Sequence, residues 1–203
     1  MTLLIATTNR DKLREIFSVL DRSRFDLRTL ADLPPVAEPD ETGETFQENV
    51  RLKALHYAQT AAEHVNDPSL LTIAEDSGLV VDALDGEPGV RSARFLRPDA
   101  TYQERFDEIY RRLASRADRP LSARFICALA AARGSSVVFE TTGIIEGEIS
   151  PRPSGSNGFG YDPIFFFPPY GATLADVNHE RKMRVAHRGE AFRKLADWLA
   201  KGM

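Results

Sequence analysis

Residues 70–81 read Leu70-Leu71-Thr72-Ile73-Ala74-Glu75-Asp76-Ser77-Gly78-Leu79-Val80-Val81. The apolar run 70–74 predicts a strand, and we expect it to end in an acidic turn at 75–78 before extended chain resumes at 79–81. Two carboxylates at the end of an apolar strand lie at the sheet edge where α/β proteins bind ligands. This stretch therefore predicts an α/β sheet with a functional edge.

The chain before this stretch alternates strand and helix. Residues 3–6 predict a buried strand, and Asn9 after it is a plausible helix N-cap. Apolar positions then recur with helical spacing at Leu13, Ile16, Phe17 and Leu20. A second strand is predicted at 25–28, a proline-rich loop at 33–39, and a second helix from about 44 to 63.

The chain after this stretch predicts a mixed sheet. The predicted elements are a helix at 102–113, extended segments at 121–131 and 135–149 joined by a hairpin at Gly134, a loop at 151–160, a strand at 164–167, and a C-terminal helix from about Arg188. Strands mixed with helices and a hairpin-rich middle indicate an α/β protein. No internal repeat or low-complexity linker divides it, so residues 1–203 are interpreted as one domain.

Composition excludes several classes of protein. The 203 residues carry 26 basic and 30 acidic side chains, a net charge of −4, which disfavours a nucleic-acid binder. The single cysteine, Cys127, cannot form an internal disulfide, and its apolar surroundings indicate an inert core thiol. We see neither a signal peptide nor an apolar run that would span a membrane, so a cytoplasmic protein is expected.

The acidic pair Glu75-Asp76 suits a hard cation. Mg²⁺ prefers oxygen ligands, commonly one or two carboxylates completed by substrate phosphate oxygens. The alternative, which is equally favoured on these residues alone, is a turn stabilised by Asp and Ser hydrogen bonds to the backbone.

Two upstream segments carry residues suited to an anion. In Thr7-Thr8-Asn9-Arg10-Asp11-Lys12, a helix N-terminus and a lysine favour negative charge, although an ordinary capped helix explains this segment alone at least as well. In the second helix Asn49 and Lys53 share a face beside Glu48, and a solvated helix face is the alternative. Arg91 and Arg94 are either phosphate donors or surface charges.

Two downstream segments could recognise a base. Ser154-Gly155-Ser156-Asn157-Gly158-Phe159-Gly160-Tyr161-Asp162-Pro163 combines glycines, two aromatic rings for stacking, and an aspartate that accepts from ring N–H groups. Lys182 and His187-Arg188-Gly189 could donate to carbonyl or phosphate oxygens. For His187 alone, helix capping or simple exposure is the favoured alternative.

In this order, these segments resemble the inosine triphosphate pyrophosphatase family, and the resemblance covers nearly the whole chain. Its most specific parts are Glu75-Asp76-Ser77-Gly78-Leu79, Ser92-Ala93-Arg94, Gly158-Phe159-Gly160-Tyr161-Asp162-Pro163 and His187-Arg188-Gly189. It implies an elongated mixed β-sheet with flanking helices, in two lobes around a central cleft, and usually a homodimer. The implied reaction is Mg²⁺-dependent hydrolysis of ITP, dITP or XTP to the monophosphate plus pyrophosphate.

The resemblance also implies a role for each matching residue. Asp76 matches the catalytic aspartate, which also binds metal, and Glu41 matches a second metal carboxylate. The triphosphate loop corresponds to Thr7, Thr8, Asn9, Arg10, Asp11 and Lys12, with further substrate contacts at Lys53, Ser77 and Lys182. Base recognition corresponds to Phe159, Gly160, Tyr161, Asp162, His187 and Arg188.

Two departures from the family pattern are small. The first loop has Thr8 where many members have glycine, and Glu75 stands where many bacterial members have aspartate. Three alternative functions stay open: a pyrophosphatase for modified pyrimidine nucleotides, a non-catalytic nucleotide sensor, and, least favoured, a nucleic-acid-binding module.

Overall fold

In a computed structural model, which describes residues 1–65, 67, 69–116 and 118–202, these residues form seven β-strands and five α-helices. The strands are β1 (Thr2–Ile5), β2 (Asp26–Thr29), β3 (Leu71–Val81), β4 (Ser122–Arg133), β5 (Ser136–Ile149), β6 (Phe165–Phe167) and β7 (Ala172–Thr173). The helices are α1 (Arg10–Phe17), α2 (Phe46–His64), α3 (Tyr102–Ala114), α4 (His179–Val185) and α5 (His187–Ala200). None of these helices combines the length and apolar character needed to cross a membrane, a finding that covers the described ranges alone.

The strands form one mixed sheet in the order β2-β1-β3-β4-β5-β6-β7. On one side, β1 pairs in parallel with both β2 and β3, with Leu3 opposite Leu27 and Leu71. On the other side, β6 pairs antiparallel with β5 and with β7. The prediction of an α/β protein with a mixed sheet and flanking helices is therefore confirmed.

The chain divides into two compact units. The first unit comprises residues 1–76, 127–143 and 187–203, and the second comprises 77–126 and 144–186. The divisions fall inside β3, β4 and β5, so each of these strands supplies residues to both units.

Each unit has its own apolar core. The core of the first unit includes Leu3, Ile5, Ile16, Leu71, Ile73, Cys127, Leu129, Phe192 and Leu195. The core of the second unit includes Leu79, Val81, Phe106, Ile109, Phe125, Ile145, Tyr161, Ile164 and Phe165. Cys127 is a buried core thiol, as the sequence predicted.

The predicted acidic turn at residues 75–78 is wrong, because β3 runs without interruption through Glu75 and Asp76. Both carboxylates stay inside the sheet because cations neutralise them, Lys12 and Arg188 at Glu75 and Lys53 at Asp76. Gly78 leaves room for Ser92, because a Cβ at residue 78 would lie 2.4 Å from the Ser92 Oγ. The Ser92 hydroxyl accepts a hydrogen bond from the N–H of Leu79 at 2.9 Å.

Two helices differ from expectation. α1 ends at Phe17, so Leu20 lies beyond the helix although its side chain is buried. The seven-residue α4 was not predicted, since it has too few turns to show an apolar period. Asn178 caps it by accepting from the N–H of Arg181.

Candidate active site

Asp76 lies in the middle of β3 and is 5 % exposed. Its Oδ1 is 3.2 Å from Lys53 Nζ, whereas its Oδ2 is buried and has no hydrogen-bond partner among the residues that the structure describes. Burial raises the pKa of Asp76, and the Lys53 ammonium opposes this while Glu41 adds to it. Asp76 is thus a buried carboxylate with one oxygen engaged and one available.

Lys53, on α2, joins Asp76 to the predicted metal carboxylate Glu41. Its ammonium is 2.5 Å from Glu41 Oε1 as well as 3.2 Å from Asp76 Oδ1. Burial alone would lower the pKa of Lys53, but the negative charges of Asp76 and Glu41 raise it overall. The lysine therefore stays charged and contacts both carboxylates, Glu41 and Asp76.

Lys12 reaches the same strand from the first turn of α1. Asn9 caps α1, since its Oδ1 accepts from the N–H groups of Asp11 (2.9 Å) and Lys12 (3.2 Å). Those two N–H groups are thus engaged by the cap. Lys12 Nζ is 2.5 Å from Oε1 of Glu75, the residue that precedes Asp76 in β3. Thr8, Asn9 and Arg10 are exposed, and Thr7 is half-buried.

Glu75 lies in a buried charge cluster that the sequence did not predict in full. Arg188 is 2 % exposed and bonds through its guanidinium to Glu15 Oε2 at 2.5 Å and Glu75 Oε2 at 3.4 Å. Burial by itself raises the pKa of Glu75, but the charges of Arg188 and Lys12 outweigh it and hold the pKa well below its ordinary value. The Cys127 thiol donates to Glu75 Oε2 at 3.5 Å, and its own pKa is raised by burial.

Glu15 is the functional-region residue that sequence reasoning missed. Its side chain is 1 % exposed and lies 2.5 Å from the Arg188 guanidinium. The only signal in the sequence is an acidic residue directly before Ile16 on the apolar side of α1. His187, next to Arg188 at the start of α5, is buried as well. Whether His187 and Arg188 read a base stays a prediction.

The second unit holds the other predicted contacts, and Asp162 is central among them. Asp162 Oδ2 is 2.5 Å from Lys182 Nζ and accepts from the N–H of Phe159 at 2.8 Å. Both charged side chains are almost fully buried, and the Lys182 ammonium lies 4.9 Å from the centre of the Phe159 ring. Gly158 has φ +71° and no room for a Cβ, which would lie 2.0 Å from Asp162 Oδ2.

Tyr161 packs in the core of the second unit. Its hydroxyl donates to the carbonyl of Ser92 at 2.8 Å, and its ring makes an edge contact with Tyr102. Burial raises the pKa of this hydroxyl, so it stays a donor. Gly160, before it, has φ +66°, and Ser77 is a half-buried residue of β3.

The structure thus brings Lys12, Glu41, Lys53 and Asp76 into one group within the first unit. In the second unit it brings Phe159, Asp162 and Lys182 together. Within the described ranges, no cluster of three or more His, Cys, Asp and Glu side chains is arranged to hold a metal ion. The carboxylates of Glu41 and Asp76 both contact Lys53.

Comparisons with known proteins agree over nearly the full chain. The model of a family described as the Ham1 family matches residues 3–198. A dITP/XTP pyrophosphatase of an Exiguobacterium species is 43 % identical over 195 residues, covering 96 % of this chain and 95 % of the relative. A dITP/XTP pyrophosphatase of Halalkalibacterium halodurans is 38 % identical over 198 residues, covering 97 % of each.

Solved structures give the same result. A HAM1 protein from Coxiella burnetii superimposes with a TM-score of 0.87 at 33 % identity, and the match covers 100 % of both chains. The Ham1 protein of Staphylococcus aureus superimposes with a TM-score of 0.84 at 32 % identity, again over 100 % of both chains.

Proposed function

The chain belongs to the Ham1 family, and from that membership we propose that it hydrolyses non-canonical purine nucleoside triphosphates. The substrates are dITP, XTP and ITP, and the products are the nucleoside monophosphate and pyrophosphate. The chain is then a hydrolase of phosphoanhydride bonds that removes these nucleotides from the pool. The observation that carries the proposal is the buried Asp76, whose Oδ1 contacts Lys53 and whose Oδ2 has no partner among the described residues.

Asp76 is the residue that we assign to the attacking water. The water oxygen forms a bond to the α-phosphorus while the bond from that phosphorus to the oxygen bridging to the β-phosphate breaks. The water proton passes to the Asp76 carboxylate, and pyrophosphate leaves. Burial raises the pKa of Asp76, which makes it a stronger proton acceptor than an exposed aspartate.

Glu41 and Asp76 are the residues that would hold Mg²⁺. Their oxygens suit a hard cation, they contact the same Lys53 ammonium, and Asp76 offers a buried oxygen without a partner in the described part of the chain. When bound, the ion would polarise phosphate oxygens and screen their charge.

Lys12 and Lys53 would neutralise the remaining charge of the polyphosphate. Each is a partly buried ammonium held by carboxylates, Lys12 by Glu75 and Lys53 by Glu41 and Asp76. Preorganised cations beside the reacting group stabilise the negative charge that grows on the leaving pyrophosphate. We also assign Thr7–Lys12 as the triphosphate loop, and the ordering of its backbone by the Asn9 side chain supports this.

The finer assignments are proposals of the same kind. We place Ser77, Phe159, Gly160, Tyr161, Asp162 and Lys182 among the substrate contacts. His187 and Arg188 distinguish the 6-carbonyl of hypoxanthine and xanthine from the 6-amino group of adenine, because a donor facing a donor leaves a buried group unpaired. Residues 1–203 act as one domain with two lobes, in a cytoplasmic homodimer that binds neither nucleic acid nor membrane.

A substrate panel tests the function. Pyrophosphate release is measured for dITP, XTP, ITP, ATP and dTTP, with Mg²⁺ and with excess EDTA. The three non-canonical purine nucleotides should release pyrophosphate fastest, and EDTA should stop the release. Preference for dTTP or its methylated forms would favour a pyrimidine enzyme. Tight nucleotide binding without turnover would favour a sensor, and either result would overturn the proposal.

A further inference from the structure

The segment that carries Glu41 is fastened to the start of α2 by three consecutive backbone N–H groups. Gly43 donates to Asn49 Oδ1 at 2.8 Å. Glu44 and Thr45 both donate to Glu48 Oε2, at 2.8 and 3.1 Å. Glu41 lies two residues before the first of these bonds, so they restrict the backbone from which its side chain extends.

Asn49 is the buried member of this set. Its side chain is 0 % exposed, whereas Glu48 is exposed. Its Nδ2 is buried and has no hydrogen-bond partner within the described ranges, so the bond from Gly43 to Oδ1 is the polar contact that holds this amide. A buried polar group without a hydrogen-bond partner costs free energy, so loss of the bond from Gly43 would leave the Asn49 amide with none of its polar contacts to the described residues.

Gly43 fits closely against Asn49. A Cβ at residue 43 would lie 2.7 Å from Asn49 Oδ1 and 2.9 Å from the Asn49 backbone nitrogen. The φ of Gly43 is not positive, so close approach rather than backbone freedom explains the glycine here. The segment is therefore held at a fixed distance from α2.

Capping of α2 does not account for this bond. Thr45 and Glu48 already form a reciprocal capping box at the helix start. Asn49 instead lies one helical turn before Lys53, whose ammonium is 2.5 Å from Glu41 Oε1 and 3.2 Å from Asp76 Oδ1. Two residues on one face of α2 therefore hold this segment. Asn49 bonds to its backbone at Gly43, and Lys53 contacts the Glu41 carboxylate.

We propose that Asn49 is a positioning residue for the divalent cation: its amide holds Gly43 so that the Glu41 carboxylate stays beside Asp76. This inference rests on the proposed function, since it concerns the same cation. Removal of a residue that orients a metal ligand commonly lowers metal affinity by about 10–100-fold. Asn49 is fully buried and bonds to the Gly43 backbone, so we assign it to positioning and not to the chemical step.

Binding of Mn²⁺ to the nucleotide-free protein tests the proposal, with the free-ion signal followed by electron paramagnetic resonance. Asn49→Leu fills a similar volume without a hydrogen-bond acceptor and should lower the affinity for Mn²⁺ by about 10-fold or more. Asn49→Asp keeps an oxygen facing Gly43 and should recover most of the affinity. Gln47→Leu is the matched control, because it removes an amide from exposed α2 surface that bonds to Thr142 at 3.3 Å. It should bind as the wild type does.

Kinetics give an independent readout. Asn49→Leu should raise the Mg²⁺ concentration needed for half-maximal pyrophosphate release, with kcat at saturating Mg²⁺ close to the wild-type value. A merely structural role would lower the active fraction and leave that Mg²⁺ concentration unchanged. If Asn49→Leu does not fold, Gly43→Ala replaces it as the test. That variant keeps the Asn49 side chain but displaces the segment that carries Glu41, so it should also raise the Mg²⁺ concentration needed for half-maximal release.

The outcomes separate this inference from the proposed function. Wild-type protein that releases pyrophosphate and binds Mn²⁺, with Asn49→Leu binding equally well, overturns the role of Asn49 alone. Wild-type protein that neither binds Mn²⁺ nor releases pyrophosphate overturns both. Glu41→Gln removes a proposed metal ligand and is the reference. It should lower the affinity for Mn²⁺ at least as much as Asn49→Leu does.

Discussion

At the scale of single residues, the first unit buries several charges that must neutralise one another. Glu15, Glu75 and Arg188 are each less than 5 % exposed, and both carboxylates contact the Arg188 guanidinium. Lys12 adds a second cation to Glu75. Buried ions are tolerated when each is paired and hydrogen-bonded, and removal of one partner leaves an uncompensated charge.

Glu75→Gln tests this charge balance. The variant leaves Arg188 and Lys12 with less negative charge, so we expect the free energy of unfolding to fall by about 3–5 kcal/mol. Urea unfolding measures it. Glu140→Gln is the control, because it breaks an exposed pair with Arg51, and exposed ion pairs contribute little to stability. Equal losses in the two variants would contradict the account of the cluster.

The same carboxylate gives the stability a pH dependence. The pKa of Glu75 in the folded protein lies below its ordinary value of 4.5, so its stabilising contribution is complete above that value and is lost as the pH falls. Between pH 7 and pH 3 the free energy of unfolding of the wild type should therefore fall more steeply than that of Glu75→Gln. Parallel curves for the two proteins would show that Glu75 is not held ionised.

Residue types and spacing predicted part of the site and not the rest. The group of Glu41, Lys53 and Asp76 could be expected, because each residue type suits phosphate or metal and the family pattern places them together. The pairing of Glu15 with Arg188 could not, since it joins residues 173 positions apart in the chain. The packing of the Tyr161 ring against Tyr102 in the core of the second unit could not be expected either, and its role as a base contact stays a prediction.

At the scale of secondary-structure elements, β3 shows why local signals were insufficient. Asp, Ser and Gly in succession predict a turn, because these side chains bond readily to their own backbone. In the folded chain, Lys53 takes up the Asp76 carboxylate and the Ser92 hydroxyl bonds to Leu79, so the strand continues. Partners distant in sequence thus outweigh the local preference.

Contact between β5 and α5 at Gly143 gives an element-scale prediction. A Cβ at residue 143 would lie 2.1 Å from the carbonyl oxygen of His187 and 2.7 Å from the backbone nitrogen of Ala191. Gly143→Ala must therefore displace the first turn of α5, and we expect it to cost about 1–3 kcal/mol in urea unfolding. Ser136→Ala, at an exposed position of the same strand, is the control. A loss within the error of that control would show that the helix adapts freely.

At the scale of the whole molecule, the alternation of strand and helix predicted the fold class correctly. The seven-stranded mixed sheet and the match to solved Ham1 proteins at a TM-score of 0.87 confirm it. The division into two compact units left no mark in composition, because its boundaries fall inside β3, β4 and β5 rather than in linkers. Sequence alone therefore predicted the fold class but not the borders of the units.

The central claim is that Asp76 drives hydrolysis at the α-phosphorus, and Asp76→Asn tests it most directly. Turnover of dITP to pyrophosphate with saturating Mg²⁺ and dITP is compared for the variant and the wild type, with nucleotide affinity measured by calorimetry. The amide cannot accept the water proton, so kcat should fall by about 10²–10⁴-fold, while nucleotide affinity stays within one order of magnitude. Pyrophosphate release by Asp76→Asn at the wild-type rate would contradict the account.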